Sequence, residues 1–169
     1  MRKRYLALGL FISMLFIANS VIADNTKYSI YRNERFSYSI SYPEGILVPQ
    51  GEADNGDGQK FISKDGQVVM LVYGYNNPDD YTIDSVFKEE SQSHTRQNPK
   101  REVTYKIKKN NWFVVSGTDR ENIFYKKAIY DVKDNQFINF EISYPKSKRA
   151  QYDSITAAIA KSMKVLFEK

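Results

Sequence analysis

The sequence predicts an α+β domain in which an antiparallel β-sheet meander packs with a short central helix and a C-terminal amphipathic helix. Segments in which every second residue is apolar fill most of the chain, and short turns rich in asparagine, aspartate and glycine separate them. Two other segments repeat with helical spacing, one in the middle of the chain and one at its end. Because no helix stands between the successive strands of the second half, a doubly wound parallel sheet is excluded.

The first 23 residues have the composition of a cleaved signal peptide. Three basic residues follow Met1, a largely apolar stretch runs from Tyr5 to Ala18, and Val21-Ile22-Ala23 offers the small residues that signal peptidase requires. The apolar stretch is shorter than the roughly 20 residues of a spanning helix, so we expect no stable membrane span after cleavage. The predicted organisation is a signal peptide over 1–23 and a single α+β domain over 24–169, located in the periplasm or secreted.

Composition limits the classes of partner and the source of stability. The chain has no cysteine, so an exported domain of this kind must be stabilised by packing and not by disulfides. Lysine and arginine number 25 against 20 acidic residues, but Arg2, Lys3 and Arg4 belong to the signal, which leaves 22 against 20. This near balance gives no electrostatic reason to expect a nucleic acid as the partner.

The first half of the chain after the signal predicts three strands and a helix. In FSYSISYP every second residue from Phe36 to Tyr42 is apolar, as in a half-buried strand. KFISKDGQVVMLVYGY predicts two strands joined by a primed turn at Asp65-Gly66, because both turn residues tolerate positive φ. In YTIDSVFKEE the spacing becomes helical after Thr82, which can cap the amino end of a short helix.

The second half predicts four further strands and a terminal helix. VTYKIK, WFVVSG, NIFYKKAIYDV and QFINFEISYP read as strands, with short polar turns at Asn110-Asn111 and Asp134-Asn135. Short turns between successive strands indicate an antiparallel meander. From Tyr152 to Leu166 apolar residues recur every three or four positions, which predicts an amphipathic helix with one face on the sheet.

The first of these four strands carries a basic face. In VTYKIK the lysines alternate with Val103, Tyr105 and Ile107, so we expect Lys106 and Lys108 to project into solvent while the other three side chains are buried. Such a face could contact a polyanion or an acidic protein. An ordinary solvated surface, with lysines that discourage pairing at a sheet edge, is the simpler interpretation.

The segment EADNGDGQKF offers the best candidate for a metal site. A calcium loop needs oxygen ligands at alternate positions, a glycine at the sixth and a bidentate acid at the twelfth. With Gly58 sixth, the first position falls on Ala53 and the twelfth on Lys64, so two essential ligands are missing. A tight turn is the simpler interpretation. A weak calcium site of another geometry, using Asp54 and Asp57, stays open, but no metal site and no other cofactor is predicted.

Residues with catalytic chemistry are sparse. His94 is the only histidine and there is no cysteine, so the parts of a zinc site and of conventional Cys-His or Ser-His-Asp catalysis are missing. The adjacent acids Asp79-Asp80 and Glu89-Glu90 are expected on solvated turns or helix faces. Glu141 is the one acid within an apolar strand, and its face, which it shares with Asn139, is expected to be wet. No catalytic residue is predicted.

Five residues are candidates for a binding surface. They are Lys106 and Lys108 on the basic strand, Asp54 and Asp57 in the glycine-rich turn, and Trp112. Trp112 qualifies only if its ring is not part of the core, where a tryptophan in a strand is more often found.

Several segments resemble a known group of exported proteins. LVPQGEADNGDGQKF, FISKDGQVVMLVYG, VTYKIKKNNWFVVSG, NIFYKKAIY and YDSITAAIAKSM occur in this order, and in them the chain resembles an uncharacterised family of small exported bacterial proteins. The order of strand, hairpin, helix, meander and terminal helix is similar to the PsbP-like fold of the photosystem extrinsic protein and the envelope lipoprotein DcrB. This resemblance implies a non-enzymatic binding or assembly role. The cysteine that anchors DcrB is missing, and no residue matches the metal-binding or docking residues of PsbP.

The sequence therefore favours an exported periplasmic, non-enzymatic binding or accessory protein, whose partner is an envelope or secreted protein. The alternative is a hydrolase-type enzyme whose active site cannot be recognised from one sequence. A structural subunit of an envelope assembly is a third class. An enzyme should show a pocket lined by converging polar groups with shifted pKa values, whereas a binding module should show an open face with exposed aromatic residues ringed by lysine.

Overall fold

The computed structural model describes residues 26–166, so the predicted signal peptide over 1–23 lies outside the described residues. The described chain forms ten strands, two α-helices and one 3₁₀ turn. The strands are β1 (Tyr28–Asn33), β2 (Tyr38–Pro43), β3 (Leu47–Glu52), β4 (Gly58–Ser63), β5 (Val69–Asn76), β6 (Arg101–Lys108), β7 (Trp112–Asp119), β8 (Asn122–Asp131), β9 (Gln136–Pro145) and β10 (Lys164–Val165). The helices are α1 (Ile83–Glu90) and α2 (Arg149–Ser162), and the 3₁₀ turn Lys146–Lys148 leads into α2.

The strands form two antiparallel sheets. The larger sheet has seven strands in the order β3-β4-β5-β9-β8-β7-β6, so the β3–β5 hairpins and the β6–β9 meander are joined where β5 pairs with β9. The smaller sheet has the order β1-β2-β10. The α+β class, the meander and both helices are as predicted. A second sheet accompanies the predicted meander, because β1 and β10, which the sequence pattern did not indicate, pair with β2.

The smaller sheet and α2 cover one face of the larger sheet, and α1 covers part of the other. The main core is formed by β2, β4, β5, β8, β9 and α2, with Tyr38, Phe61, Phe140 and Ile159 among its fully buried side chains. A second apolar cluster holds α1 on the opposite face, where Ile83 packs with side chains of β7, β8 and β9. We call these two sides of the larger sheet the α2 face and the α1 face.

Both helices begin near their predicted positions, but α2 ends early. The Thr82 side chain accepts the Ser85 backbone N–H at 3.1 Å and caps α1 as expected. The terminal helix ends at Ser162, and the chain then extends so that β10 pairs with β2. Met163 is buried in the core although it follows the end of the helix. Its apolar position therefore fits the helical spacing of the sequence without being part of the helix.

The turn between β4 and β5 differs from the predicted primed pair. Only Gly66 has positive φ, at 73°, and the Ser63 N–H donates to Val68 O at 3.0 Å, so the loop is longer than two residues. The Asp65 carboxylate accepts bonds from the Ser63 hydroxyl and the Gln67 N–H and forms an ion pair with Lys148. The Lys148 ammonium, together with the Ser63 and Gln67 hydrogen bonds, holds the pKa of Asp65 below its usual value. These contacts close a loop that is longer than the two-residue turn predicted from the sequence.

Strand β6 contains a β-bulge. Its pairing with β7 skips Thr104, so Val103 opposes Gly117 and Tyr105 opposes Ser116. The glycine is required, because a Cβ at Gly117 would lie 1.9 Å from Glu102 O. The bulge changes which side chains of β6 share a face, which decides where the predicted basic residues project.

Candidate binding sites on the two faces of the sheet

Lys106 and Lys108 project from the α1 face of the edge strand β6. They oppose Val115 and Phe113, both of which belong to the apolar cluster beneath α1. Lys106 is exposed, whereas Lys108 is half-buried and its Nζ lies 2.9 Å from an Asp84 carboxylate oxygen on α1. Lys108 therefore joins α1 to the sheet and is not a free cation on a solvent face.

The expected partition of β6 into a buried and a solvated face was wrong for Tyr105. The bulge at Thr104 shifts the alternation of side chains along β6 by one residue. Tyr105 and Ile107 therefore lie on the α2 face, while Val103 lies on the α1 face with the lysines. Tyr105 is not buried on that face, because 54% of the residue is exposed. The sequence pattern contained no signal for this bulge except the glycine opposite it.

Trp112 lies on the α2 face, opposite to the two lysines. It pairs with Ile129 and is half-buried, and the Lys127 Nζ lies 5.9 Å from its ring centroid. Its ring is thus not part of the closed core, which was the condition for its selection as a candidate.

Asp54 and Asp57 lie at the hairpin loop between β3 and β4, where Gly56 has a φ of 66°. Asp54 is exposed, and the Asp57 carboxylate accepts the Asn55 Nδ2–H at 2.7 Å. The Asp57 carbonyl accepts the Gly74 N–H at 2.8 Å, which fixes the loop to β5. Within residues 26–166, no three His, Cys, Asp or Glu side chains gather closely enough to hold a metal ion. The five candidates therefore lie in three separate places.

A cluster of charged side chains lies on the α1 face, beside the end of α1. The Lys126 Nζ contacts a Glu90 carboxylate oxygen at 2.6 Å and a Glu141 carboxylate oxygen at 2.9 Å. The Tyr73 hydroxyl donates to Glu141 at 2.8 Å. The Arg101 Nη2 donates to the Glu90 carbonyl at 2.9 Å, and its guanidinium lies 4.2 Å from the Phe124 ring centroid. We call Tyr73, Glu90, Arg101, Lys126 and Glu141 the charge cluster.

The charge cluster is held in its charged form. Burial acts to raise the pKa of Glu141, but the Lys126 ammonium outweighs it, and the pKa is lowered. Burial likewise acts to lower the pKa of Lys126, but the neighbouring carboxylates outweigh it, and the pKa is raised. Burial raises the pKa of Tyr73. The shifts of Glu141 and Lys126 favour their charged forms, and that of Tyr73 favours the neutral phenol, so all three favour a fixed contact over proton transfer.

The charge cluster borders an open cavity of about 330 Å³. Asn98, Asp119, Asn122 and Ser143 line it together with members of the cluster. The expectation that the acids of this chain are solvated was therefore wrong for Glu90 and Glu141. The sequence predicts that Glu141 faces water because it shares a strand face with Asn139, but Glu90 at the end of α1 and Arg101 after the following loop lie against this part of the sheet. The only sequence signal was Lys126, which β8 places directly opposite Glu141.

A second concave region, the Trp112 groove, lies on the α2 face between the sheet and the end of α2. It consists of two neighbouring depressions, and Trp112 and Lys127 line both. The larger has a volume of about 560 Å³ and the smaller about 290 Å³. The larger depression is lined by Val132, Lys133, Met163 and Lys164, and the smaller one by Tyr105, Ile107, Ala157 and Lys161.

The charges around the Trp112 groove are predominantly basic and have no ion-pair partner in the described part of the chain. Lys133, Lys161 and Lys164 are exposed, and among residues 26–166 none of them has a carboxylate within ion-pair distance. The Lys127 Nζ donates to Ala160 O at 2.6 Å, near the end of α2, and burial lowers the pKa of this lysine. The one acid, Asp131, is buried and accepts bonds from the Gln136 side chain and the Lys133 N–H.

Neither helix in the span 26–166 combines the length and apolar character that crossing a membrane requires. His94 is exposed, and its ring Nδ1 lies 3.1 Å from Pro99 O within its own loop. It is not part of the cavity or of the groove.

Comparisons with known proteins identify the fold. No family model matches the chain, and no curated protein is similar to it in sequence. The solution structure of cyanobacterial PsbP (CyanoP) from Synechocystis sp. PCC 6803 has a TM-score of 0.62 at 13% identity, over 88% of this chain and 98% of that chain. The Ran-binding protein Mog1p of Saccharomyces cerevisiae has a TM-score of 0.58 at 9% identity, over 83% of this chain and 96% of that chain.

The chain therefore has a PsbP-like, Mog1-like α+β fold. At these identities the likeness concerns the fold alone. The resemblance to a family of small exported proteins stays a prediction.

Proposed function

We propose that the protein is an exported, periplasmic, non-enzymatic binding or accessory protein, and that it binds its partner in the Trp112 groove. The observation that carries this proposal is the combination of an open apolar groove with three exposed lysines that have no carboxylate partner in the described part of the chain. A tryptophan at the centre of a concave apolar surface is typical of residues that contribute strongly to binding. The presence of this fold in a Ran-binding protein supports a binding role by analogy of architecture only.

The test of this proposal compares two neighbouring alanines on α2. Both Ala157 and Ala158 are exposed, but only Ala157 lines the groove. Glutamate is compatible with a helix at either position, so neither variant should unfold the protein. Ala157→Glu places bulk and a negative charge in the groove, whereas Ala158→Glu adds the same side chain outside it.

The protein, expressed with its own signal, would be incubated with envelope extract and recovered for native mass spectrometry. We expect wild type and Ala158→Glu to retain the same bound species and Ala157→Glu to lose it. Equal retention by all three proteins would show that the groove is not the binding site. Export is tested separately, because cell fractionation and N-terminal sequencing should find the periplasmic chain beginning at Asp24.

One observation favours a hydrolase-type enzyme as the second candidate. Glu90, Lys126 and Glu141 line the cavity beside the charge cluster, and the Tyr73 hydroxyl donates to Glu141, which is the kind of convergence that an active site requires. The shifts of their pKa values oppose it, since Glu141 and Lys126 are held in their charged forms. Turnover of a generic ester, amide or glycoside panel that Glu141→Gln abolishes would establish the enzyme and overturn the binding proposal.

A further inference from the structure

We propose that the occupant of the Trp112 groove is a free, single-chain anionic amphiphile, with a carboxylate head on an apolar chain. This inference rests on the proposed function and names the chemistry of its ligand. Two features support it: the apolar shape of the groove and the exposed lysines around it. The charges on the other face of the sheet, by contrast, form ion pairs with one another.

The shape of the groove fits an elongated apolar chain. The larger depression, of about 560 Å³, lies in the size range of small-molecule sites, and the smaller one lies on the other side of Trp112, which lines both. Val132 and Met163 contribute apolar surface at the larger end, and Tyr105 and Ile107 do so at the smaller end. A chain laid across the Trp112 ring would contact apolar side chains over its whole length.

The charge around the larger depression fits an anionic head. Lys133 follows the end of β8 and Lys164 lies in β10, yet both line the same depression. Lys161, on α2, lines the smaller one. Asp131 offsets only part of this charge, because its carboxylate bonds to the Gln136 side chain and the Lys133 N–H and it is a single acid beside three exposed lysines. An anion is therefore the complement of this rim.

A free amphiphile fits this site better than a macromolecular surface does. A protein partner needs about 800 Å² on each side of the contact, whereas the two depressions here, of about 560 and 290 Å³, have the size of small-molecule sites. A bilayer surface attracts lysines that lie on a convex or planar face, with apolar side chains projecting outward. Here Tyr105 and Val132 are exposed, but most of the large apolar residues that line the groove are half-buried or buried, and the three lysines are exposed beside them.

Trp112 provides the test, because it is the only tryptophan in the chain and lines both depressions. The protein would be titrated with dodecanoate below its micelle concentration, and Trp112 emission would be followed, with calorimetry as a second readout. Dodecyltrimethylammonium, which has the same chain and the opposite charge, is the matched control. Butyrate tests whether the head alone binds.

We expect dodecanoate to give a saturable blue shift and a one-to-one heat. Dodecyltrimethylammonium should bind at least tenfold more weakly, and butyrate should not bind. Lys133→Gln/Lys164→Gln should weaken dodecanoate binding by about tenfold or more, since both lysines line the larger depression and each exposed lysine near an anionic head contributes roughly fivefold. The matched control is Lys60→Gln/Lys106→Gln, which removes two exposed lysines outside the groove and should leave binding unchanged.

Three results would overturn the proposal. Equal affinity for the anionic and the cationic amphiphile would mean that the lysines do not select the ligand. Binding to anionic vesicles and not to monomeric dodecanoate would assign the groove to a membrane surface. No saturable change with any amphiphile would remove this ligand class, and the comparison of Ala157→Glu with Ala158→Glu in envelope extract would then decide separately whether the groove binds anything.

Discussion

The two concave regions of this protein differ in what their charges contact. In the charge cluster on the α1 face, Lys126 lies between two carboxylates and Arg101 is bonded to Glu90. In the Trp112 groove on the α2 face, Lys161 and Lys164 are exposed and have no carboxylate partner in the described chain. Charges that neutralise one another hold elements of the fold together, whereas unpaired charges beside an apolar concavity remain available to a ligand. The more polar cavity is thus the less suitable binding site.

The largest effect should come from removing the central cation of the charge cluster. Lys126→Met keeps most of the aliphatic stem but leaves half-buried Glu141 without its cation and Glu90 with Arg101 alone, at 3.4 Å. Breaking such a contact typically costs about 3 kcal/mol of unfolding free energy, because the remaining charges are poorly solvated. Urea denaturation should show this loss.

The matched control is Lys106→Met, an exposed lysine on the same face. It should change the unfolding free energy by less than about 0.5 kcal/mol. A loss of under about 1 kcal/mol for Lys126→Met would mean that the cluster is not structural. The distinction drawn between the two regions would then fail.

The next effect is a dependence of stability on acid pH. Because Lys126 holds the pKa of Glu141 below its ordinary value, the folded protein takes up this proton less readily than the unfolded chain. The contribution of Glu141 is therefore present above the unfolded pKa of about 4.3 and is lost as the pH falls through the folded pKa. Urea midpoints measured from about pH 6 to about pH 3 should fall less steeply for Glu141→Gln than for wild type. Parallel slopes would contradict a charged role for Glu141.

A smaller effect of the exposed lysines of the groove should be measurable in the quenching of Trp112 fluorescence by ions. The basic rim should attract iodide and repel caesium, so iodide should quench Trp112 about twofold more strongly than caesium at low salt. Lys161→Gln/Lys164→Gln should bring the two quenching constants together. If the constants are already equal in wild type, the groove has no local positive potential.

Most of the fold could be predicted from the sequence, but few of the residues of the two sites could. Each strand of the β6–β9 meander and both helices could be located, because residue alternation and turn chemistry are local properties. The short β10 could not be separated from the helical spacing of α2, since Met163 is buried whether the chain is helical or extended. Strands β1 and β3 were not recognised; β3 has a largely exposed burial pattern and lies at a sheet edge.

The two sites depend on contacts between residues that are distant in sequence. Glu90 and Lys126 meet only because α1 packs over β8, so neither residue could be read as part of a buried cluster. Of the five selected candidates, only Trp112 lines the groove; the lysines that surround it come from α2, β10 and the loop after β8. The bulge at Thr104 places Lys106 and Lys108 on the opposite side of the sheet.

The most direct test of this account measures stability and ligand retention on the same two variants. We expect Lys126→Met to lose about 3 kcal/mol of unfolding free energy and, at a temperature where it is folded, to retain the species that wild type binds from envelope extract. Lys161→Gln/Lys164→Gln should keep the wild-type unfolding free energy and lose that species. The reverse pattern, with binding lost in folded Lys126→Met and preserved in the groove variant, would contradict the account.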